Sequence, residues 1–359
     1  MDISQLKLYE QKTRIFKKRI FKDYKNVSSL GYDENTNEGI LILNSGESIF
    51  SVCMRCDFPL CMNYSKEELS FNIFDEFPLD NVQMVCPSLA ITWPHDNPEP
   101  IIDEDLCISC GLCIQRCPVN AISYNDEFIA KINIQQNSYF IEKNYSNEEF
   151  LSIIQHYILL ENKSILKEIN NEHIEMVYSK IAEKTSNLSL QFPNLIIRNL
   201  FLELGISTAI RRRGDIYMRM DMLFSDSTQN IGIAEIENGR DTLNSPRNIL
   251  DNIAVLHSRY NFKKENIIPL IVSFSFPNQR TDYWQLIQDI KKITKIEIYS
   301  ITLGALLILL WKNKKISMDE IKLFYADSDN PSIRQSIKKL IEEDFDIGLG
   351  LLGVLEVTK

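Results

Sequence analysis

At 359 residues the chain exceeds the size at which one hydrophobic core usually stops growing, so two or three domains are expected. It is 44% hydrophobic and 25% charged, and its longest apolar run, residues 301–311, is about half of the ~20 residues a bilayer-spanning helix needs, which argues against a membrane protein and for a soluble, folded one. The formal charge of −10 excludes a global polycation; residues 1–25 hold eight Lys or Arg against three acids, residues 26–145 five against eighteen, and residues 146–359 hold 26 against 28.

In chain order, residues 3–23 are a helix candidate with a basic flank, suited to solvent, an acidic partner or nucleic acid. The N-terminus lacks the unbroken apolar h-region of a secretory signal, so a cytoplasmic location is expected. Residues 33–39 read as a turn-rich connection, and residues 40–135 alternate short apolar runs with Pro, Asn and Asp, as a small metal domain does. From 146 to 186 the pattern turns helical, with Phe150, Ile153, Ile154, Tyr157 and Ile158 on one stripe.

Residues 188–311 predict helix, three strands, helix, strand. A helix starts at Pro193-Asn194 and stops at Gly205. Strands are expected over 206–212 and 216–224, turning at Arg213-Gly214-Asp215, and over 231–237. Ser245-Pro246 reads as a helix start explained by capping alone, with Ile249, Leu250, Ile253 and Leu256 as its buried stripe. The near-continuous apolar run 267–276 predicts a strand buried on both faces, and 301–311 a buried strand running into a helix. Two further helices are expected over 313–359, the second opening at Asn330-Pro331-Ser332. The resulting plan is an N-terminal helical segment (1–39), a metal domain (40–140), a helical linker (141–187), an α/β domain (188–312) and a helical C-terminus (313–359), of α+β multidomain class.

All eight cysteines lie between Cys53 and Cys117, the pattern of a local metal–sulfur ligand set in a reducing compartment rather than of a chain-wide disulfide framework. Cys107, Cys110, Cys113 and Cys117-Pro118 make a C-x2-C-x2-C-x3-C-P run, a spacing zinc sites seldom use. Two-residue spacers wrap the chain around one corner of a cubane, and the fourth cysteine cannot fold back to the same cluster. The one internal echo sets Cys86-Pro87-Ser88-Leu89-Ala90-Ile91 against Cys117-Pro118-Val119-Asn120-Ala121-Ile122.

This run resembles that of bacterial dicluster ferredoxins. The resemblance implies two [4Fe–4S] clusters, one held by Cys107, Cys110, Cys113 and Cys86, the other by Cys53, Cys56, Cys61 and Cys117. The sequence departs from that family where four residues lie between Cys56 and Cys61 and 24 between Cys61 and Cys86, and an inserted loop that includes residues 63–81 would account for it. Whether such clusters carry electrons or only staple the domain depends on burial and hydrogen bonding.

Strand alternation sets Arg219, Asp221 and Leu223 on one face of the second strand, opposite Met218, Met220 and Met222, and sets Glu235 and Glu237 on one face of the third. If the two strands are neighbours, three carboxylates converge and repel unless a divalent metal neutralises them. The element order and these acids resemble the PD-(D/E)xK restriction-endonuclease-like fold. Asp221 and Glu235 would then ligate Mg2+ or Mn2+, Glu237 would stand where that family usually has Lys, and Glu203 would match an acidic position near the metal. The implied activity is phosphodiester hydrolysis, on DNA ahead of RNA, by a homodimer; the competing reading is a solvated strand face or an inactive nuclease-like module. Arg211, Arg212, Arg213 and Arg219 would grip phosphates, or face solvent at a hairpin tip.

None of His95, His156, His173 and His257 has a partner at metal-ligand spacing, and the chain has no Walker-type loop, no G-x-G-x-x-G and no G-x-S-x-G. The leading expectation joins the modules as an iron–sulfur nuclease. Its rivals are an electron-transfer protein whose C-terminal part docks a redox partner, and a redox-responsive DNA-binding regulator.

Overall fold

Two physical patterns, local ligand spacing and apolar periodicity, divide the chain, and the computed structural model divides it as well, although not at the same places. The structure describes residues 59–66, 68–94, 100–117, 122–132, 164–215, 218–226, 230–239, 244–343, 348 and 352–358, together with the backbone of 29–33, 38–43 and 141–146. It forms two units, one from Gln5–Ser65 and Met84–Ile165, the other joining Lys66–Gln83 to Leu166–Lys359. The class is mixed α+β.

In the first, cysteine-bearing unit, β1 (Ser29–Asp33) pairs antiparallel with β2 (Glu38–Leu43). β3 (Ile91–Thr92) pairs with β4 (Ile101–Ile102); after the single-turn helix α1 (Leu112–Arg116), β5 (Ile122–Tyr124) pairs with β6 (Ala130–Ile132). β7 (Ile141–Ser146) returns to β2. The two Cys-Pro echoes have matching outcomes, because β3 and β5 each begin five residues after the cysteine, on Ile91 and Ile122, and both isoleucines are buried. The expected helical linker over 141–187 thus opens on a strand, since its first six residues complete the β1–β2 sheet. The helix candidate 3–23 and the stripe Phe150 to Ile158 lie outside the described residues.

The second unit is built around one sheet. α2 (Asn171–Glu183) starts on a capping box between Asn170 and His173. α3 (Phe192–Glu203) carries Pro193 in its first turn and leads to β8 (Ser207–Ile210), β9 (Met222–Ser225) and β10 (Ile231–Glu237). α4 (Ser245–Tyr260), β11 (Ile267–Ser273), α5 (Asp282–Thr294), β12 (Tyr299–Thr302) and α6 (Leu303–Trp311) follow. α7 (Met318–Ile321) and α8 (Arg334–Ile341) are short. The sheet order is β12-β11-β10-β9-β8, with β8–β9–β10 antiparallel and β10–β11–β12 parallel.

Burial explains the sequence of each element. All seven residues of β11 are buried, as a central parallel strand covered on both faces must be. All nine residues of α6 are buried, which is why this helix is apolar all round. On β10 the even positions Gly232, Ala234 and Ile236 share one face. Gly232 stands opposite Phe224, whose ring occupies the space a Cβ would need. Phe224 in turn packs on Phe201 of α3 with ring centroids 5.6 Å apart. The odd positions Glu235 and Glu237 face the other way, beneath α4.

The segment Lys66–Gln83, expected as a loop inside a continuous 40–140 domain, folds with the sheet unit instead, because its apolar and hydrogen-bonding groups are satisfied there. Leu79 makes a β-bridge with Arg211, and the Phe77 ring stacks on Tyr260 with centroids 4.3 Å apart.

Candidate metal centre and acidic face

The loop into α1 shapes the first site. Gly111 is the helix N-cap with φ 86°, a left-handed conformation that glycine adopts without a Cβ penalty, and it turns Cys110 and Cys113 toward a common space. Cys86, Cys107, Cys110 and Cys113 line one small cavity together with Ile108 and Ala90. The Ala90 N–H donates to Cys86 Sγ at 3.3 Å, and Ser88 Oγ lies 3.5 Å from the same sulfur. The Leu112 N–H points at the Cys110 thiol. Tyr124 donates to the Ser109 carbonyl at 2.8 Å and its ring stacks on Phe128 at 4.1 Å, holding β5 against the cysteine loop.

Burial raises the Cys110 thiol well above its ordinary range, and the neighbouring Cys86 and Cys107 raise it further. Burial also raises Cys113, with Cys110, Cys86, Cys107 and Cys61 adding to it. Thiols that oppose one another's ionisation in this way become thiolates together only around a compensating cation, which is what the irons of a cluster supply. The donor set therefore fits a 4Fe–4S cluster, and Cys86, Cys107, Cys110 and Cys113 are the residues that would hold it. Of the other expected set, Cys61 and Cys117 are buried in the same core, while Cys53 and Cys56 lie outside the described residues.

One residue here escaped the sequence reading. Arg116, between the third and fourth cysteines of the run, is 1% exposed; its Nε donates to the Leu60 carbonyl at 2.7 Å and its guanidinium lies 4.0 Å from the Tyr64 ring centroid. Its position in the short helix gave no sign of this burial.

The second site lies on the α4 face of the sheet. Continuing the β9–β10 register by one residue sets Asp221 beside Glu235, as alternation predicts. Asp221 Oδ2 accepts from the Ile236 N–H at 3.1 Å and Oδ1 from Arg211 at 3.3 Å. Glu235 Oε1 accepts from Asn252 at 2.5 Å, and Glu237 Oε1 from Ser245 at 2.5 Å. Burial raises the Asp221 carboxyl despite the Ile236 N–H and the Arg211 charge. Burial, then the charges of Asp221 and Glu237, push Glu235 up to about 8, against the lowering effect of Asn252 and Asn248.

Several expectations change at this site. Asn244, not Ser245, is the N-cap of α4, and Ser245 is buried with its hydroxyl on Glu237, so capping alone does not explain it. Ser245, Asn248 and Asn252 face the acids at helical spacing; the one sign in the sequence was an Asn inside an apolar stripe. Glu203 is buried at the end of α3, where Lys315 donates to its backbone carbonyl. Of the arginines, Arg211 pairs with Asp221 and Arg212 with Asp215 at 3.4 Å, while Arg213 and Arg219 are exposed. Among the described residues, no three carboxylate or imidazole side chains are grouped so as to hold a single metal ion. Arg211, Asn252 and Ser245 already engage Asp221, Glu235 and Glu237, and nothing in this arrangement supports Mg2+ or Mn2+.

Comparison with known proteins bears on the cysteine unit. A family model described as a 4Fe-4S binding domain matches residues 100–123. The chain is 47% identical over 60 residues to a ferredoxin of Alicyclobacillus acidocaldarius, covering 16% of this chain and 67% of that protein. It is 42% identical over 62 residues to a "Ferredoxin 7Fe" of Hydrogenibacillus schlegelii, covering 16% of this chain and 76% of that one. It is also 36% identical over 84 residues to one component of an ion-translocating oxidoreductase complex of Thiobacillus denitrificans, covering 20% of this chain and spanning only 45% of that component. No solved structure matches the chain. None of these findings supports a nuclease core, a nucleic-acid partner or a divalent metal, and no helix among the described residues is long and apolar enough to cross a membrane. Through its cysteine segment the chain belongs to the ferredoxin family, carrying a 4Fe-4S binding domain within a much longer polypeptide.

Proposed function

We propose that the protein transfers electrons through two [4Fe–4S] clusters, with the sheet unit serving to dock a redox partner protein. One observation carries the reading: Cys86, remote in sequence, lines the same cavity as Cys107, Cys110 and Cys113. That placement supports one half of the ligand exchange which a paired-cluster run requires. The relative named as part of an oxidoreductase complex supports work alongside other redox proteins. When bound, each cluster supplies one-electron chemistry. The protein's own groups hold the thiolates, exclude water from them, and direct the Ala90 and Leu112 N–H groups at sulfur, which tunes the potential. Anaerobic purification with iron and sulfide analysis, followed by reversible dithionite bleaching of the absorption near 400 nm, tests it. Clusters that assemble but do not bleach would be structural and would sink the electron-transfer reading.

A second reading, hydrolysis of phosphodiesters at the acidic face, retains one specific observation in its favour: Asp221, Glu235 and Glu237 gather on one side of neighbouring strands. Incubating the protein with DNA and with RNA, with added Mg2+ or Mn2+, separates the two. No cleavage, or equal cleavage by Glu235→Ala, eliminates the nuclease reading.

A further inference from the structure

The segment Lys66–Gln83 lies between Cys61 and Cys86, yet it folds with the sheet unit. There it grips both sides of the acidic face. On one side, the Asp80 N–H donates to the Ile210 carbonyl at 2.9 Å, and the Arg212 N–H to the Pro78 carbonyl at 3.2 Å; Leu79 bridges Arg211 itself. This is the stretch that sends the Arg211 guanidinium to Asp221. On the other side, Phe77 stacks on Tyr260, the last residue of α4, whose Ser245 and Asn252 hold Glu237 and Glu235. The grip is itself well anchored: Gln191 donates to Asp80 Oδ2 at 2.9 Å, the Val82 N–H to Asp80 Oδ1 at 2.8 Å, and buried Arg198 to the Val82 carbonyl at 2.7 Å.

We propose that cluster occupancy controls the order of this clamp, and through Arg211 and α4 the conformation of the acidic face. The inference rests on the reading of Cys61 and Cys86 as cluster ligands. Iron–thiolate bonds fix both ends of the intervening chain, so the clamp closes at a reduced cost in chain entropy. Removing iron leaves those ends held by the Asn63–Met84 bridge and the bond from the Val85 N–H to the Met62 carbonyl alone and raises that cost, and the bonds at the sheet edge open before those of the core. By linkage the effect is reciprocal: an ordered clamp shortens the free chain between the two cysteines and favours cluster retention.

The test compares the full-length, iron-replete protein with the same protein after anaerobic chelation, by hydrogen exchange at single amides. Loss of iron should speed exchange about tenfold or more at Asp80, Arg211 and Arg212, while the amides of α6 stay protected. Phe77→Ala should reproduce the faster exchange in iron-replete protein and release iron to a chelator sooner. Unchanged exchange at Asp80, Arg211 and Arg212 after iron removal overturns the coupling, and so does an equal loss of protection across α6. Protein that binds no iron overturns the ligand reading and the coupling with it, so the two failures are distinguishable.

Discussion

Asn252 donates from its side-chain nitrogen to Oε1 of Glu235 across 2.5 Å, from a helix residue that is 2% exposed to a strand residue that is 7% exposed. Such a bond offsets part of the desolvation of a buried carboxylate, and the remainder appears as the upward displacement of Glu235 to about 8. In the unfolded chain this group ionises near 4.5. Between those values the folded state holds a proton that the unfolded state has released, so stability falls as pH rises from about 4.5 to about 8. Urea titrations followed by tryptophan fluorescence, with Trp284 and Trp311 both buried in the sheet unit, should give a lower midpoint at about pH 8.5 than at about pH 5.5. Glu235→Gln should flatten that dependence and Asn252→Ala should steepen it; a slope that survives Glu235→Gln would assign it to another group.

Gly232→Ala probes the opposite face of the same strand. A methyl group there meets the Phe224 ring, which is itself fully buried between the sheet and Phe201. Overpacking of this kind costs about 1–3 kcal/mol, read as a lower urea midpoint at unchanged slope. An unchanged midpoint would mean that the ring has room to move.

Arg116 tests the cysteine unit. Arg116→Ala leaves the buried Leu60 carbonyl without this donor and removes the cation from the Tyr64 ring, a loss of about 2–4 kcal/mol. Arg116→Lys should not restore it, because an ammonium cannot reproduce the planar stacking. Thermal loss of cluster absorbance is the measurement, and recovery by Lys would reduce the role of Arg116 to charge alone.

The iron count checks the ligand assignment. On the proposed two-cluster reading the wild type should hold about eight irons per chain, and Cys110→Ala about four, since one cluster would lose a ligand while the other would keep its set. A wild-type count of about seven would point to the site of Cys53, Cys56, Cys61 and Cys117, where the spacing departs from the two-residue pattern.

Much of the sheet unit was readable from the sequence because its signals are periodic. The strand at 231–237 and the helix from Ser245 came from alternation and from a stripe of Ile249, Ile253 and Leu256, and both stand at those positions. Asp221 and Glu235 were placed on a shared face for the same reason. The roles of Ser245, Asn248 and Asn252 were not readable, because a polar residue in a helix looks alike whether it meets solvent or a buried acid across the layer. The repulsion expected among the carboxylates is met by Arg211, Asn252 and Ser245 rather than by a metal-holding arrangement.

The sequence by itself determined the 4Fe-4S binding segment, because the spacing that marks it is a local pattern, complete within Cys107 to Cys117. The tertiary structure sets Cys86, which the resemblance had already assigned to Cys107, Cys110 and Cys113, in one cavity with them, and it alone decided that Arg116 is buried and that the segment from Lys66 to Gln83 belongs with the sheet. Each of these depends on contacts between distant parts of the chain, such as Arg198 with Val82. No local propensity encodes such contacts; they exist only once the separate apolar surfaces have packed.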